Sequence, residues 1–284
     1  MKNIENLKFC YERILNLKTE GASKAVAFRS KYWSKNQSIK VYFMGGSNSQ
    51  ISEMKSVINE LVAPLSLSVE YVGDISASDI RIDFKEGYGS WSYLGTDCKY
   101  ISKAAQTLNI GWSGRDVMFH EFGHALNLAH EHQNPKGGVV WDEAQVIQDL
   151  SGAPNYWSVE EIRHNVLNKL DSTKVDSTEF DGESMMLYYF PNTWTIGNFQ
   201  TNSNLYPSKK DLDFLIEKYG SAASVEVIEP TIDLKKFIAE LFPTDYRLEQ
   251  LTEEQLMVVA KGLDMEASVD DLKKDTIANI REIL

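Results

Sequence analysis

Cysteine is scarce: Cys10 and Cys98 are the only two in 284 residues. One disulfide is the most such a chain can form, so a stapled framework is excluded and two reduced thiols are the expectation. Long apolar runs are missing as well. No stretch approaches the ~18 apolar residues of a membrane span, and the first ten residues are partly acidic, without the apolar run of a secretory leader. The expectation is a chain that is cytoplasmic as synthesised, with any export following a leaderless route. Positive charge is the third deficit. With 29 Lys and Arg against 41 Asp and Glu the net charge is −12, which argues against nucleic acid and anionic membrane surfaces as partners, because both reward clustered cations. What is present is 43% hydrophobic residues in a chain longer than one average domain, enough for a full core with an appendage.

Histidine is also rare, and its placement carries the chemistry. Four of the five histidines lie in His120-Glu-Phe-Gly-His124-Ala-Leu-Asn-Leu-Ala-His130-Glu-His132. With residues 119–126 helical, His120 and His124 are four apart and project from one face, which delivers two imidazole nitrogens to one metal ion. Glu121 lies beside them, where it can serve a bound water. Six further residues would carry His130 about 9 Å along a straight helix and off that face. The chain must therefore turn back after His124, and Asn127 stands where the turn is needed, asparagine being second only to glycine in tolerating the left-handed conformation. His132 is a candidate for supporting the ligands, whereas His164, alone on a predicted helix, reads as structural or solvated.

Around this stretch, residues 3–33 read as two helical stretches. Residues 39–43, 67–71, 80–84 and 108–112 read as strands, and Ser49 opens a helix with Ile51, Met54, Val57, Ile58 and Leu61 on its inner stripe. Ser113 or Asp116 is the expected cap of the histidine helix. Helices are further expected over 141–150, over 159–170, and from Ser208 to Tyr219 with a stop at Gly220. On its own, Ser184-Met185-Met186-Leu187-Tyr188 is an apolar core run.

His120-Glu121-x-x-His124-x-x-Asn127-x-x-His130 resembles the extended zinc signature of metzincin endopeptidases, with Asn127 in place of the usual glycine. Glu131 after the third histidine makes it look most like the astacin branch. Residues Ser184 to Tyr188 resemble the Met-turn of that branch. The resemblance implies an α+β fold: a mixed twisted sheet, a zinc-binding helix, a Met-turn and a closing helix. It implies one catalytic Zn²⁺ on His120, His124 and His130, Glu121 as general base, Met186 as the floor beneath the zinc, and Tyr188 as the tyrosine that assists at the oxyanion. It also places Ser90, Trp91, Ser92 and Tyr93 on an edge strand that pairs with extended substrate, although an aromatic strand packed on the core fits those residues as well. The implied activity is zinc-dependent hydrolysis of peptide bonds in a protein or peptide substrate. The alternative is a catalytically impaired zinc-binding protein acting as a recognition module or adaptor.

The expected organisation is an N-terminal helical segment, 1–35, a catalytic domain, 36–220, a linker, 221–230, and a small helical domain, 231–284. That last part has twelve acidic and seven basic side chains, which points away from nucleic acid and toward contact with another protein. No pro-segment is evident, and Cys10 lacks the surroundings of a known cysteine switch.

Overall fold

The computed structural model describes Cys10–Arg13 and residues 28–153, 155–187, 189–197, 199–201 and 204–222. All of these fall in one unit, Met1–Ala223, of the two into which the chain divides. The expected helical domain at 231–284, and all but the first two residues of the expected linker, lie outside the described residues.

Six strands form one sheet: β1 (Cys10–Arg13), β2 (Ser38–Phe43), β3 (Ser68–Tyr71), β4 (Ile80–Asp83), β5 (Ser90–Tyr93) and β6 (Leu108–Asn109). Their order across it is β1-β5-β6-β4-β2-β3. Every neighbouring pair is parallel except β5 with β6. Ile39 and Val41 of β2 are buried and alternate with more open residues, as in a strand with one face on a core, whereas all four residues of β4 are buried, Arg81 and Asp83 included. Helix α1 (Asn48–Val62) buries Met54, Val57, Ile58, Leu61 and Val62 in that core. It starts at a capping box in which the Ser47 hydroxyl accepts from the Gln50 amide and the Gln50 side chain accepts from Ser47 N–H.

The metal-motif helix, α2 (Arg115–Ala125), packs against α1 and β5. Nine of its eleven residues are buried, so it runs through the interior and brings its histidines with it. Its N-cap is Gly114 at φ 152°, rather than the expected Ser113 or Asp116, and no side chain caps it. A Cβ on Gly114 would lie 2.2 Å from Asp116 Oδ1, and the positive φ strains a side-chain-bearing cap there.

Below the motif a second apolar cluster joins Trp141, Val146, Leu150, Ile162, Val166, Leu187, Phe190 and Trp194. It holds α3 (Glu143–Ser151) and α4 (Val159–Ile162). The helix expected over 159–170 is shorter than its pattern: past Ile162 it widens into a π-helical turn, Arg163–Leu167, closed by Asn168 N–H to Arg163 O at 2.9 Å. The closing helix α5 (Lys209–Tyr219) is capped by Ser208 and stops at Gly220, φ 85°.

The helical expectation for residues 3–33 is corrected where the chain is described. Cys10–Arg13 is a strand, and residues 28–33 form a β-bridge, Phe28 to Val175, followed by a turn. Tertiary partners override local propensity here: the Trp33 indole is buried and donates to Ala125 O at 2.8 Å, at the far end of α2. Among the described residues, no helix is long and apolar enough to cross a membrane.

Candidate metal centre

His120 and His124 stand one turn apart on α2, with ring centroids 4.7 Å apart. The chain then reverses. Asn127 takes φ 68°, its amide reaches back to His124 O at 2.7 Å, and the Leu128 amide reaches Gly123 O at 2.9 Å. His130 returns to within 4.8 Å of the His124 ring and 5.2 Å of the His120 ring. The three imidazoles offer ligand atoms that all lie within 4.8 Å of one another, and all three side chains are buried.

The left-handed turn works with asparagine because the side chain has its own partner. Asn127 is fully buried, and its amide donates to Phe28 O at 3.0 Å. The reversal needs Gly95 opposite: a Cβ there, at φ 48°, would meet Lys31 O at 2.1 Å and Asn127 Cβ at 2.9 Å. The last carbonyls of α2, which no turn of helix can satisfy, are bonded from distant parts of the chain. Trp33 takes Ala125 O, and the Tyr219 hydroxyl of α5 takes Leu126 O at 2.8 Å.

Two ligand rings are oriented by backbone. His120 Nδ1–H donates to Met185 O at 2.8 Å, and His124 Nδ1–H to Leu128 O at 2.7 Å. That tautomer carries its lone pair on Nε2, the nitrogen that can then meet a metal. Burial lowers the His120 pKa to about 4. Burial, reinforced by the neighbouring imidazoles, holds His124 and His130 well below the ordinary histidine value. All three are therefore neutral at pH 7, the form that binds metal. Three neutral, convergent imidazoles suit a zinc ion with a further position for water.

The Met-turn packs under this group. A Cβ on Gly123 would lie 2.6 Å from Met186 Sδ, so the helix face beneath the ligands admits only glycine while Met186 keeps its place. Two carboxylates hold the turn. Asp211 of α5 accepts from the Ser184 hydroxyl at 2.7 Å and the Met185 amide at 2.8 Å. Glu131, next to the third histidine, accepts from Asn134 at 2.8 Å and the Asp181 amide at 2.9 Å, while its own amide donates to Met186 O. Burial pushes the Glu131 carboxyl up to about 7 and raises Asp211 as well.

Of the residues singled out from sequence, the structure thus brings together His120, His124 and His130, with Met186 below. Glu121 is on the same helix and fully buried. Ser90–Tyr93 form β5, with Ser90, Trp91 and Ser92 buried. Strand β1 lies along the edge of β5, pairing Cys10 with Ser90 through to Arg13 with Tyr93. Tyr188 lies outside the described residues. Sequence reasoning missed Trp33, Tyr219 and Asp211, although the Ser208 capping box already pointed at Asp211 as its third helical residue.

The family model described as Astacin, a peptidase family, matches residues 25–218. Among solved structures, one of myroilysin is 30% identical with a TM-score of 0.65, covering 68% of this chain and 97% of its own. A second myroilysin structure is 27% identical with a TM-score of 0.55, covering 76% and 93%. High choriolytic enzyme 1, a hatching enzyme zinc-protease from Oryzias latipes (Medaka fish), is 16% identical with a TM-score of 0.46, covering 70% and 98%. No curated protein matches.

Proposed function

This chain belongs to the astacin family of peptidases, and on that premise we propose that it is a working endopeptidase in which His120, His124 and His130 hold one zinc ion and Glu121 moves the proton. The observation that carries the reading is the convergence of three buried, neutral histidines whose Nδ1 atoms, at His120 and His124, are committed to carbonyls. The family is zinc-dependent and its substrates are proteins or peptides. Zinc, when bound, supplies a Lewis acid for the scissile carbonyl and lowers the pKa of a water to about 7. Glu121 accepts the proton of the attacking water and returns it to the leaving amine. Met186 fills the space under the ligands with a polarizable thioether that adapts to an irregular floor. The proposed catalytic unit, 36–220, draws in residues 28–35 as well, because Trp33 caps the zinc helix. The proposed linker, 221–230, and the proposed helical domain, 231–284, follow it in the sequence.

A peptide-library digest combined with metal analysis of the same sample tests this. The expected result is internal cleavage by protein holding about one zinc per chain. Fully loaded protein that cleaves nothing would reject the peptidase reading and leave a zinc-binding protein.

Tyr188 enters the proposal through its position two residues after Met186. If its phenol donates to the oxyanion, Tyr188→Phe lowers kcat by roughly 10²-fold and changes KM little, because the ground state does not need that bond. Tyr189→Phe is the internal control. Equal effects at both positions, or a lower melting temperature at Tyr188 with normal kcat, would remove Tyr188 from the chemistry.

Extended substrate is proposed to pair with β5 in place of β1, since backbone groups on an opened sheet edge recruit extended peptides. The expectation that Ser90–Tyr93 is an edge strand is corrected by β1, which pairs along β5 and leaves it between β1 and β6. Substrate and β1 then compete for the same row of amides and carbonyls. A chain starting at residue 25 should show a higher kcat/KM on a long peptide substrate than the full chain, with the gain shrinking for a dipeptide-sized one that does not reach the strand. An unchanged ratio on the long peptide places the substrate elsewhere.

A further inference from the structure

A fourth imidazole, that of His132, lies against the face of His130. His132 is fully buried, its ring centroid 5.2 Å from that of His130 at an interplanar angle of 28°. The edge of Trp141 meets His132 from another side, 6.0 Å away at 78°. His132 Nε2–H donates to Asn165 O at 3.0 Å, which fixes the ring about its own axis.

Asn165 belongs to the π-helical turn Arg163–Leu167, and that turn together with residues 168–170 just after it is tied to the segment after His130 at several further points. The Gln133 amide spans His164 O at 2.9 Å and Asn168 O at 3.0 Å. The Leu170 amide donates to Gln133 O, and Lys169 Nζ donates to His132 O, both at 3.0 Å. A π-turn breaks the regular helical ladder and turns carbonyls toward outside donors, and such turns recur at functional sites. Here the donors come from the two residues that follow the third ligand by two and three positions.

We propose that His132 is the positioning residue of the third zinc ligand, holding the His130 ring by face contact while the π-turn at 163–167 holds His132. The proposal rests on the zinc reading above. His130 reaches the site across the reversal at Asn127, and the ring that packs on its face there is that of His132. His132 neither touches substrate nor binds the metal in this scheme.

The test is the zinc dissociation constant of the full chain, measured by competition with a chromophoric chelator, together with the melting temperature of the metal-free protein. Residues outside the ligand set that orient it typically change metal affinity by 10- to 100-fold, and His132→Ala is expected to weaken zinc binding by about that factor. His132→Phe keeps a flat ring against His130 without the bond to Asn165 O, and should recover most of the loss. His132→Gln can donate to Asn165 O but has no ring, and should recover less. The cobalt-substituted Ala variant should show a shifted visible absorption band, since cobalt reports ligand geometry directly. Should the Ala variant fail to fold, the Phe and Gln variants decide between themselves. A dissociation constant within about threefold of the wild type for Ala, or Gln matching Phe, overturns the proposal and leaves His132 a core residue, with the melting temperature moving alone. Absence of zinc from the wild-type chain would instead overturn the metal centre itself.

Discussion

Replacing Glu121 with glutamine should leave zinc content near one per chain and lower kcat by 10²–10⁴-fold, the range a positioned general acid–base contributes. Glutamine has nearly the same shape and forms helix almost as well as glutamate. Packing in α2, where residue 121 is wholly inaccessible to solvent, should therefore be kept. What the amide cannot do is accept the proton of the attacking water or return it to the leaving amine. The three histidines form a ligand group without the carboxylate, so its removal has no reason to release the metal. Zinc analysis and steady-state kinetics on one preparation check this. An unchanged kcat would take Glu121 out of the reaction, and simultaneous loss of zinc and turnover would make it a structural residue of the centre.

The parts of this site that could be read from sequence are those in which one short segment carries its own chemistry. The spacing of His120, His124 and His130 foretold both the shared helix face and the reversal, and Asn127 was legible as the residue that turns, because left-handed backbone restricts the choice to a few residue types. The stripe of α1 and the alternation in β2 were legible for the same reason, their periods matching their burial, whereas β4 alternates in sequence but is buried throughout. What stayed hidden depends on partners far away in the chain. Trp33 caps a carbonyl 92 residues later, and Tyr219 one 93 residues earlier. In the sequence Trp33 only ended an expected helical stretch and Tyr219 the closing helix. Strand β1 was read as helix because four residues have too short a pattern to declare themselves, and the partner that makes them a strand is β5, about 80 residues on. Gly123 offered no signal either. It sits where a helix prefers alanine, and only the Met186 thioether beneath it explains the choice.

The same long-range supports bear on the largest expected effect, that of removing the metal. Dialysis against a strong chelator should abolish turnover, by more than about 10⁴-fold, because the chain then gives up the shift in water pKa from 15.7 to about 7 and the Lewis acid on the carbonyl together. The protein should nevertheless stay folded. Its ligand histidines are already neutral through burial, so the metal-free site holds no cluster of charges at pH 7. The reversal after α2 is also secured by hydrogen bonds from Trp33, Tyr219 and Asn127. Adding back about one equivalent of zinc should therefore restore activity without a refolding step. His124→Ala should behave differently: it deletes a ligand and leaves Leu128 O without the Nδ1–H that it accepts. Added zinc should not rescue that variant. Full turnover at background zinc would sink the metal mechanism. A chelated protein that melts out at room temperature would show instead that the ion, and not the caps on α2, holds the turn together.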